Sequence, residues 1–160
     1  MDLDRPKEEC GVLAIASPSD DVARSAFFGL YALQHRGQEA AGIAVSDGRA
    51  VRVHKGQGLV NQVFSPGTLD PLVGSLAIGH TRYSTTGSSN ERNVQPYVVE
   101  TIHGPLGVAH NGNLVNAEEI RERLVESGSI FQSTNDSEVV LHLIAQSHAE
   151  SFVERVAEAL

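Results

Sequence analysis

Apolar positions in this chain come in short clusters, and their period changes from one cluster to the next. "GVLAIAS" (11–17) is a brief apolar run closed by Ser17-Pro18, which predicts a buried strand. The next stretch, "SDDVARSAFFGLYALQHRG", switches to helical spacing, with Val22, Ala26, Gly29, Leu30 and Leu33 along one face. Ser19 or Asp20 is placed to cap that helix, acidic residues fall in its first turn, and Gly37 follows its end. "AAGIAVSDGRAVRVHKG" carries two β-rich runs around Asp47-Gly48, a dipeptide that tolerates the positive φ of a type I′ turn, so a hairpin is expected. "SLAIGHTRY" (75–83) is a further apolar strand that turns polar abruptly at His80.

The polar stretch "STTGSSNERNVQP" has no period and reads as a long loop, the kind that is often functional in a small domain. "QPYVVETI" and "GPLGVAHNGNL" predict two strands joined at His103-Gly104-Pro105. Two amphipathic helices follow. "NAEEIRERLVESG" has Asn116 as cap, Ile120 and Leu124 four apart, and Gly128 as stop; "NDSEVVLHLIAQS" aligns Val139, Val140, Leu143 and Ile144. "SFVERVAEAL" opens one more helix that no capping signal closes, so a continuation of the chain is expected. Strands and helices in this order predict helices covering antiparallel sheet.

Composition narrows the function classes. The formal net charge is −8 and the pI about 5.3, which speaks against a nucleic-acid surface, where clustered Lys and Arg must displace counterions. The one tight basic cluster, "IRERL", is flanked by glutamates and reads as a solvated helix face. No apolar run approaches the ~18 residues of a membrane span, and the charged start "MDLDRPKEEC" is not a secretory signal. A single cysteine cannot form an internal disulfide, and the seven histidines show no metal-ligand spacing, so a cytoplasmic, zinc-free domain is expected.

Reactive groups gather where the strands end. Cys10 precedes the first strand, "GHTRYSTTG" ends the strand at 75–81, "HNGN" ends the strand at 106–110, and "TNDSE" opens a helix. A lone cysteine is most often a small buried hydrophobe. Here Glu8 and Glu9 adjoin it, and anions disfavour a thiolate. The conflict disappears if residues 1–9 are removed. Cys10 then bears a free α-amine, with a reference pKa of about 7.7–8.0, which suits a general base at neutral pH. Each of the other groups has a plain alternative. Arg82 is a surface charge or a guanidinium fork for a carboxylate, with His80, Tyr83 and Thr85 as orienting neighbours. Asn111-Gly112 is a tight turn or an oxyanion hole. Asp136 is a helix cap or an anion for an ammonium group. Arg36 and Gly37 are a helix-terminal charge and stop, or part of a site.

Taken together, "CGVLAI", "LQHRGQEAAGIAV", "GHTRYSTTGSSNERNVQP", "HNGNL" and "TNDSEV" resemble the glutaminase domain of class II glutamine amidotransferases, members of the N-terminal-nucleophile hydrolases. The resemblance spans roughly residues 8–145 and keeps the order of its segments. Sugar-phosphate transaminating members typically read R-G-Y-D-S-A-G and H-T-R-W-A-T-H-G, and asparagine synthetases R-G-P-D. This chain has Arg36-Gly37-Gln38-Glu39-Ala40-Ala41-Gly42 and His80-Thr81-Arg82-Tyr83-Ser84-Thr85-Thr86-Gly87, and looks like the branch that uses phosphoribosyl pyrophosphate. Ser84 departs from the proline that many relatives have, without removing a reacting group.

The resemblance implies an α+β fold, a four-layer αββα sandwich of two antiparallel sheets covered by helices, here truncated at the C-terminus. It implies a propeptide over residues 1–9 and an incomplete glutaminase domain over 10–160, with a phosphoribosyltransferase domain beyond this chain. It casts Cys10 as nucleophile, Asn111 and Gly112 as oxyanion donors, and Arg82 and Asp136 as partners of the glutamine carboxylate and ammonium. Arg36 and Thr85 are further pocket candidates. No cofactor is expected in this chain; Mg²⁺ and, in one subgroup, a 4Fe–4S cluster belong to the missing part. The implied partners are glutamine, phosphoribosyl pyrophosphate in the missing domain, and further copies of the full-length protein. A sugar-phosphate amidotransferase, a papain-like thiol hydrolase and a non-enzymatic binding module are the rivals.

Overall fold

In the computed structural model, residues 10–18, 21–83 and 91–160 are described. The leader 1–9, the cap candidates Ser19 and Asp20, and the loop positions Ser84 and Thr85 lie outside them. Four strands form one antiparallel sheet, in the order β1 (Gly11–Ala16), β4 (Leu76–Arg82), β2 (Ala40–Ser46), β3 (Val51–Gln57). Its register aligns Gly11 and Ala41 with Thr81, and Val12 and Gly42 with His80. A second antiparallel pair joins β5 (Tyr97–Thr101) to β6 (Gly104–Val108). Helices cover the outer faces of both sheets, which makes the expected α+β sandwich.

Each sheet face follows from the sequence's alternation. Helix α1 (Val22–Ala32) lays Val22, Ala23, Ala26 and Leu30 on Ala41, Ile43, Val45 and Ala77, with Leu13 and Ile15 packed alongside. Burying the Val, Leu and Ile side chains among these is worth roughly 1.5–3 kcal/mol each. Strand β2 is buried along almost its whole length. Its inner positions are small: a Cβ on Gly42 would stand 2.1 Å from the Gln95 carbonyl oxygen, so glycine lets the second layer approach. Gly107 in β6 does the same opposite Ile78. The outer layer on that side is α5 (Ser137–Gln146), whose Val140, Leu141 and Ile144 pack with Tyr97 and Leu106.

Several local expectations change. Asp47-Gly48 does not make a two-residue type I′ turn. Among the described residues only glycines have positive φ, and residues 47–50 form a four-residue loop. The Asp47 carboxylate accepts from Arg49 N (2.9 Å) and Ala50 N (2.8 Å), which fixes that geometry. Helix α1 has no acid in its first turn and ends at Ala32, well before Gly37. Two single-turn helices, α2 (Val60–Val63) and α3 (Pro66–Leu69), were not legible; four residues carry too little periodicity. The 3₁₀ turn Glu91–Asn93 leads into β5. Helix α4 (Ala117–Glu126) does stop at Gly128, at φ 96°, where Gly128 N donates to Val125 O and Ser129 N to Leu124 O. Helix α6 (Phe152–Ala159) starts on a capping box between Ser151 and Glu154.

Candidate active site

Cys10 directly precedes β1, and the register of β1 on β4 brings it beside Tyr83, one residue past the end of β4. Tyr83 N–H donates to Cys10 Sγ at 3.5 Å, and the thiol reaches Tyr83 O at the same distance. The Cys10 carbonyl oxygen is held twice: Asn111 Nδ2 donates to it at 2.6 Å and Arg36 Nε at 3.3 Å. These contacts span 101 and 26 positions of chain, so the cysteine sits where three separate segments meet.

Arg36 arrives there because of Gly37. A Cβ on Gly37 would stand 2.7 Å from the Thr81 carbonyl carbon and 2.8 Å from that of Arg82. The turn after α1 therefore lies against the β4 backbone, and the glycine serves close approach; its φ is not positive.

Strand β4 supplies His80 and Arg82, two apart and hence on one face, toward the second sheet. His80 is 1% exposed, and among the described residues its Nε2 has no hydrogen-bond partner. Burial, together with the nearby Arg82 and His110 charges, pushes its pKa down to about 4 against the opposing pull of a hydrogen bond to the His110 backbone. It is a neutral imidazole at neutral pH. The Arg82 guanidinium is half-buried, and its Nη1 is likewise buried without a hydrogen-bond partner among the described residues.

The opposite wall is made of loops. His110 N donates to Gln95 Oε1 (2.7 Å), and Gln95 Nε2 donates to His110 O (3.2 Å). This two-way grip by a buried glutamine fixes the end of β6, from which Asn111 and Gly112 project. A side chain at Gly112 would meet the His110 ring at 2.7 Å, so the position favours glycine. Asp136 has the position of a helix cap but does not act as one. It accepts no cap hydrogen bond from α5; Asn135 Oδ1 receives Ser137 N at 2.9 Å instead. The Asp136 carboxylate accepts from Leu114 N at 2.7 Å and from Ser137 Oγ at 3.3 Å, which leaves acceptor sites on both oxygens.

Cys10, His80, Arg82, Tyr83, Gln95, Gly112 and Asp136 line one polar cavity of about 470 Å³. Asn111 reaches its rim through Cys10, and Arg36 stands behind the nucleophile. Thr85 lies outside the described residues. A larger cavity of about 630 Å³ contains Lys55, Tyr97 and Glu138 but no nucleophile, and its Lys55 ammonium is engaged by the Val94 and Pro96 carbonyls. Among the described residues no group of three or more His, Cys, Asp or Glu is placed to hold a metal ion, and the chain's one cysteine cannot supply a Cys₄ cluster. No described helix is long and apolar enough to cross a membrane. Sequence reasoning missed Gln95; its signal was the polar pair Asn93 and Gln95, two apart, before Pro96.

A thiol, a side-chain amide and a backbone N–H at one end of a polar cavity, with a guanidinium and a carboxylate on its walls, suit acyl transfer from a small zwitterionic amide. Comparison with known proteins agrees. The family described as a glutamine amidotransferase domain matches residues 80–157. Curated amidophosphoribosyltransferases are similar over nearly the whole chain. One from Synechococcus elongatus is 56% identical over 92% of this chain and 30% of its own length, and a chloroplastic one from Arabidopsis thaliana is 52% identical over 98% and 28%. A solved glutamine phosphoribosylpyrophosphate amidotransferase from B. subtilis, complexed with ADP and GMP, superposes with a TM-score of 0.84 and 42% identity over 92% of this chain and 32% of that one. The fold and cavity thus define a class II glutamine amidotransferase domain of the N-terminal-nucleophile type. The chain spans about three-tenths of the length of the curated amidophosphoribosyltransferases it matches.

Proposed function

We propose that this domain is the glutaminase half of an amidophosphoribosyltransferase. The observation that carries the reading is the meeting of Cys10 with Asn111, Arg82 and Asp136 around one polar cavity. Removal of residues 1–9 frees the Cys10 α-amine, which takes the thiol proton, directly or through a water. The Tyr83 N–H, 3.5 Å from Sγ, holds the sulfur in place. Sulfur attacks the side-chain amide carbon of glutamine. The developing oxyanion is held by the Gly112 N–H and by the Asn111 Nδ2 hydrogen that the Cys10 carbonyl does not use. The α-ammonium returns its proton to the departing nitrogen, and ammonia leaves. Water, deprotonated by the same amine, then attacks the thioester and releases glutamate.

Arg82 pairs with the substrate carboxylate and Asp136 with its ammonium, which selects glutamine over a simple amide. Arg36 positions the nucleophile through the Cys10 carbonyl; Thr85 is retained as a pocket residue from the resemblance alone. In the whole protein, ammonia displaces pyrophosphate from C1 of phosphoribosyl pyrophosphate and loses a proton to give 5-phosphoribosylamine, the first step of purine synthesis. Mg²⁺ serves that other domain, as does any 4Fe–4S cluster, and no step here runs through either. A cytoplasmic homo-oligomer is the proposed working form, while a chloroplastic protein stands among its relatives.

Incubating processed protein with a glutamine-like electrophile should give one adduct on Cys10 by intact mass. Cys10→Ser should lose glutaminase activity by about 10⁴-fold or more. Stimulation by phosphoribosyl pyrophosphate, and not by fructose 6-phosphate, separates this reading from the sugar-phosphate branch. Full glutaminase activity in Cys10→Ser would overturn it.

A further inference from the structure

The loop 131–136, which delivers Asp136, is held by side chains that the mechanism above does not use. On one side lies Glu138, 5% exposed, in the first turn of α5. Its Oε1 accepts from Gln132 N at 2.7 Å; its Oε2 accepts from Ser133 N at 2.7 Å and from Ser133 Oγ at 2.6 Å. On the other side lies Arg121 of α4. Its Nη1 donates to Ser133 O at 3.1 Å and its Nη2 to Asn135 O at 2.7 Å, while the guanidinium stacks on Phe131 at 4.0 Å from the ring centroid. A third contact ties the loop to the segment before β5: Asn93 Nδ2 donates to Thr134 Oγ1 (2.9 Å), and Thr134 N donates to Asn93 Oδ1 (3.1 Å).

The arrangement is a two-sided clamp. An anion collects the loop's N–H groups, and a cation collects its carbonyl groups. Arg121 belongs to the "IRERL" cluster that sequence alone reads as a solvated face; it is half-buried and turned onto the loop. Charged groups with their hydrogen-bonding capacity used in this way are strong constraints, because removing one partner leaves the other buried and unmet. The constraint ends at Asp136. Its carboxylate accepts no backbone N–H of the helix it precedes and takes only the long Ser137 Oγ contact (3.3 Å) from it, so its place in the cavity is set mainly by the loop behind it and by Leu114 N in front.

We infer that Glu138 and Arg121 are positioning residues for glutamine recognition, acting through the 131–136 loop to hold the Asp136 carboxylate where the substrate ammonium binds. The inference rests on the ammonium-binding reading of Asp136 given above. It divides labour within the site: Cys10, Asn111 and Gly112 lie outside the clamp, so loosening the clamp weakens glutamine binding more than it slows the attack. A displacement of the order of 1 Å at such a group is enough for a rate or affinity loss of about tenfold to 10²-fold.

The test is a double-mutant cycle on the processed full-length protein, with the KM and kcat for glutamine hydrolysis measured separately. Glu138→Gln keeps the shape but turns an NH₂ group toward Ser133. It should raise KM about tenfold or more while kcat falls less than threefold. Arg121→Lys, which keeps the charge and loses the fork, should shift KM in the same direction by a smaller factor; it serves as the second variant should Glu138→Gln not fold. In an Asp136→Asn background, where the ammonium contact is already weakened, neither change should raise KM appreciably further.

Effects that multiply in the double mutant, or a kcat loss as large as the KM change, would overturn the clamp while leaving Asp136 as the ammonium partner. An unchanged KM in Asp136→Asn alone would remove that reading and the clamp with it.

Discussion

The two walls of the cavity are built by opposite means. Cys10, His80 and Arg82 are carried at the ends of strands, where the β1–β4–β2 hydrogen-bond ladder and the α1 core behind it set their places. Asn111, Gly112 and Asp136 stand on loops, where hydrogen bonds between the backbone and the side chains of Gln95, Asn93, Arg121 and Glu138 replace the ladder. The strand wall is held by apolar burial and backbone pairing, which add to global stability. The loop wall is held by polar contacts whose main effect is local geometry. Mutations on the two sides should therefore separate stability from chemistry.

The largest effect is expected behind the strand wall. Leu30 is fully buried beneath Gly79, and Leu30→Ala should cost about 3–5 kcal/mol of folding free energy. Denaturant melts measure this, and kcat at low temperature should stay near normal. On the loop wall the pattern should reverse. Asn111 is exposed, so Asn111→Ala should leave the melting curve almost unchanged and lower kcat by about 10²–10³-fold. A loss of stability as large as that in Leu30→Ala would erase the distinction.

A smaller and pH-dependent effect belongs to His80, which lies in both descriptions, borne on a strand and bonded to the His110 backbone. Above its ordinary pKa near 6.5 the imidazole is neutral in folded and unfolded chains and contributes no pH dependence. Between about 6.5 and 4 the unfolded chain takes up the proton and the folded chain does not, so stability falls with pH by up to about 3 kcal/mol across the window. His80→Gln should flatten this part of a plot of stability against pH, whatever it costs at neutral pH. An unaltered slope would mean that the burial of His80 does not govern its titration.

The same contrast explains what could be read before the fold was known. Strand positions announce themselves by alternation, so β1, β2 and β4 and the polar groups at their ends were legible from residues within a few places of each other. The loop wall was legible only as motifs. Asp136 looks like a helix cap until its carboxylate is seen to take the Leu114 N–H rather than a backbone N–H of its own helix. Arg121 looks like a solvated charge until the loop 12 and 14 residues further on is folded back over it. Gly37 looks like a helix stop, yet its purpose is contact with the β4 backbone. Each of these depends on which distant segments meet, and no local period encodes that.

The proposed mechanism requires Cys10 to work as the first residue of the chain, with its own amine as base. N-terminal sequencing of an active preparation, with intact mass, tests this most directly. Activity should accompany chains that begin at Cys10, and chains retaining Met1–Glu9 should hydrolyse no glutamine. A fully active preparation whose first residue is Met1 would contradict it.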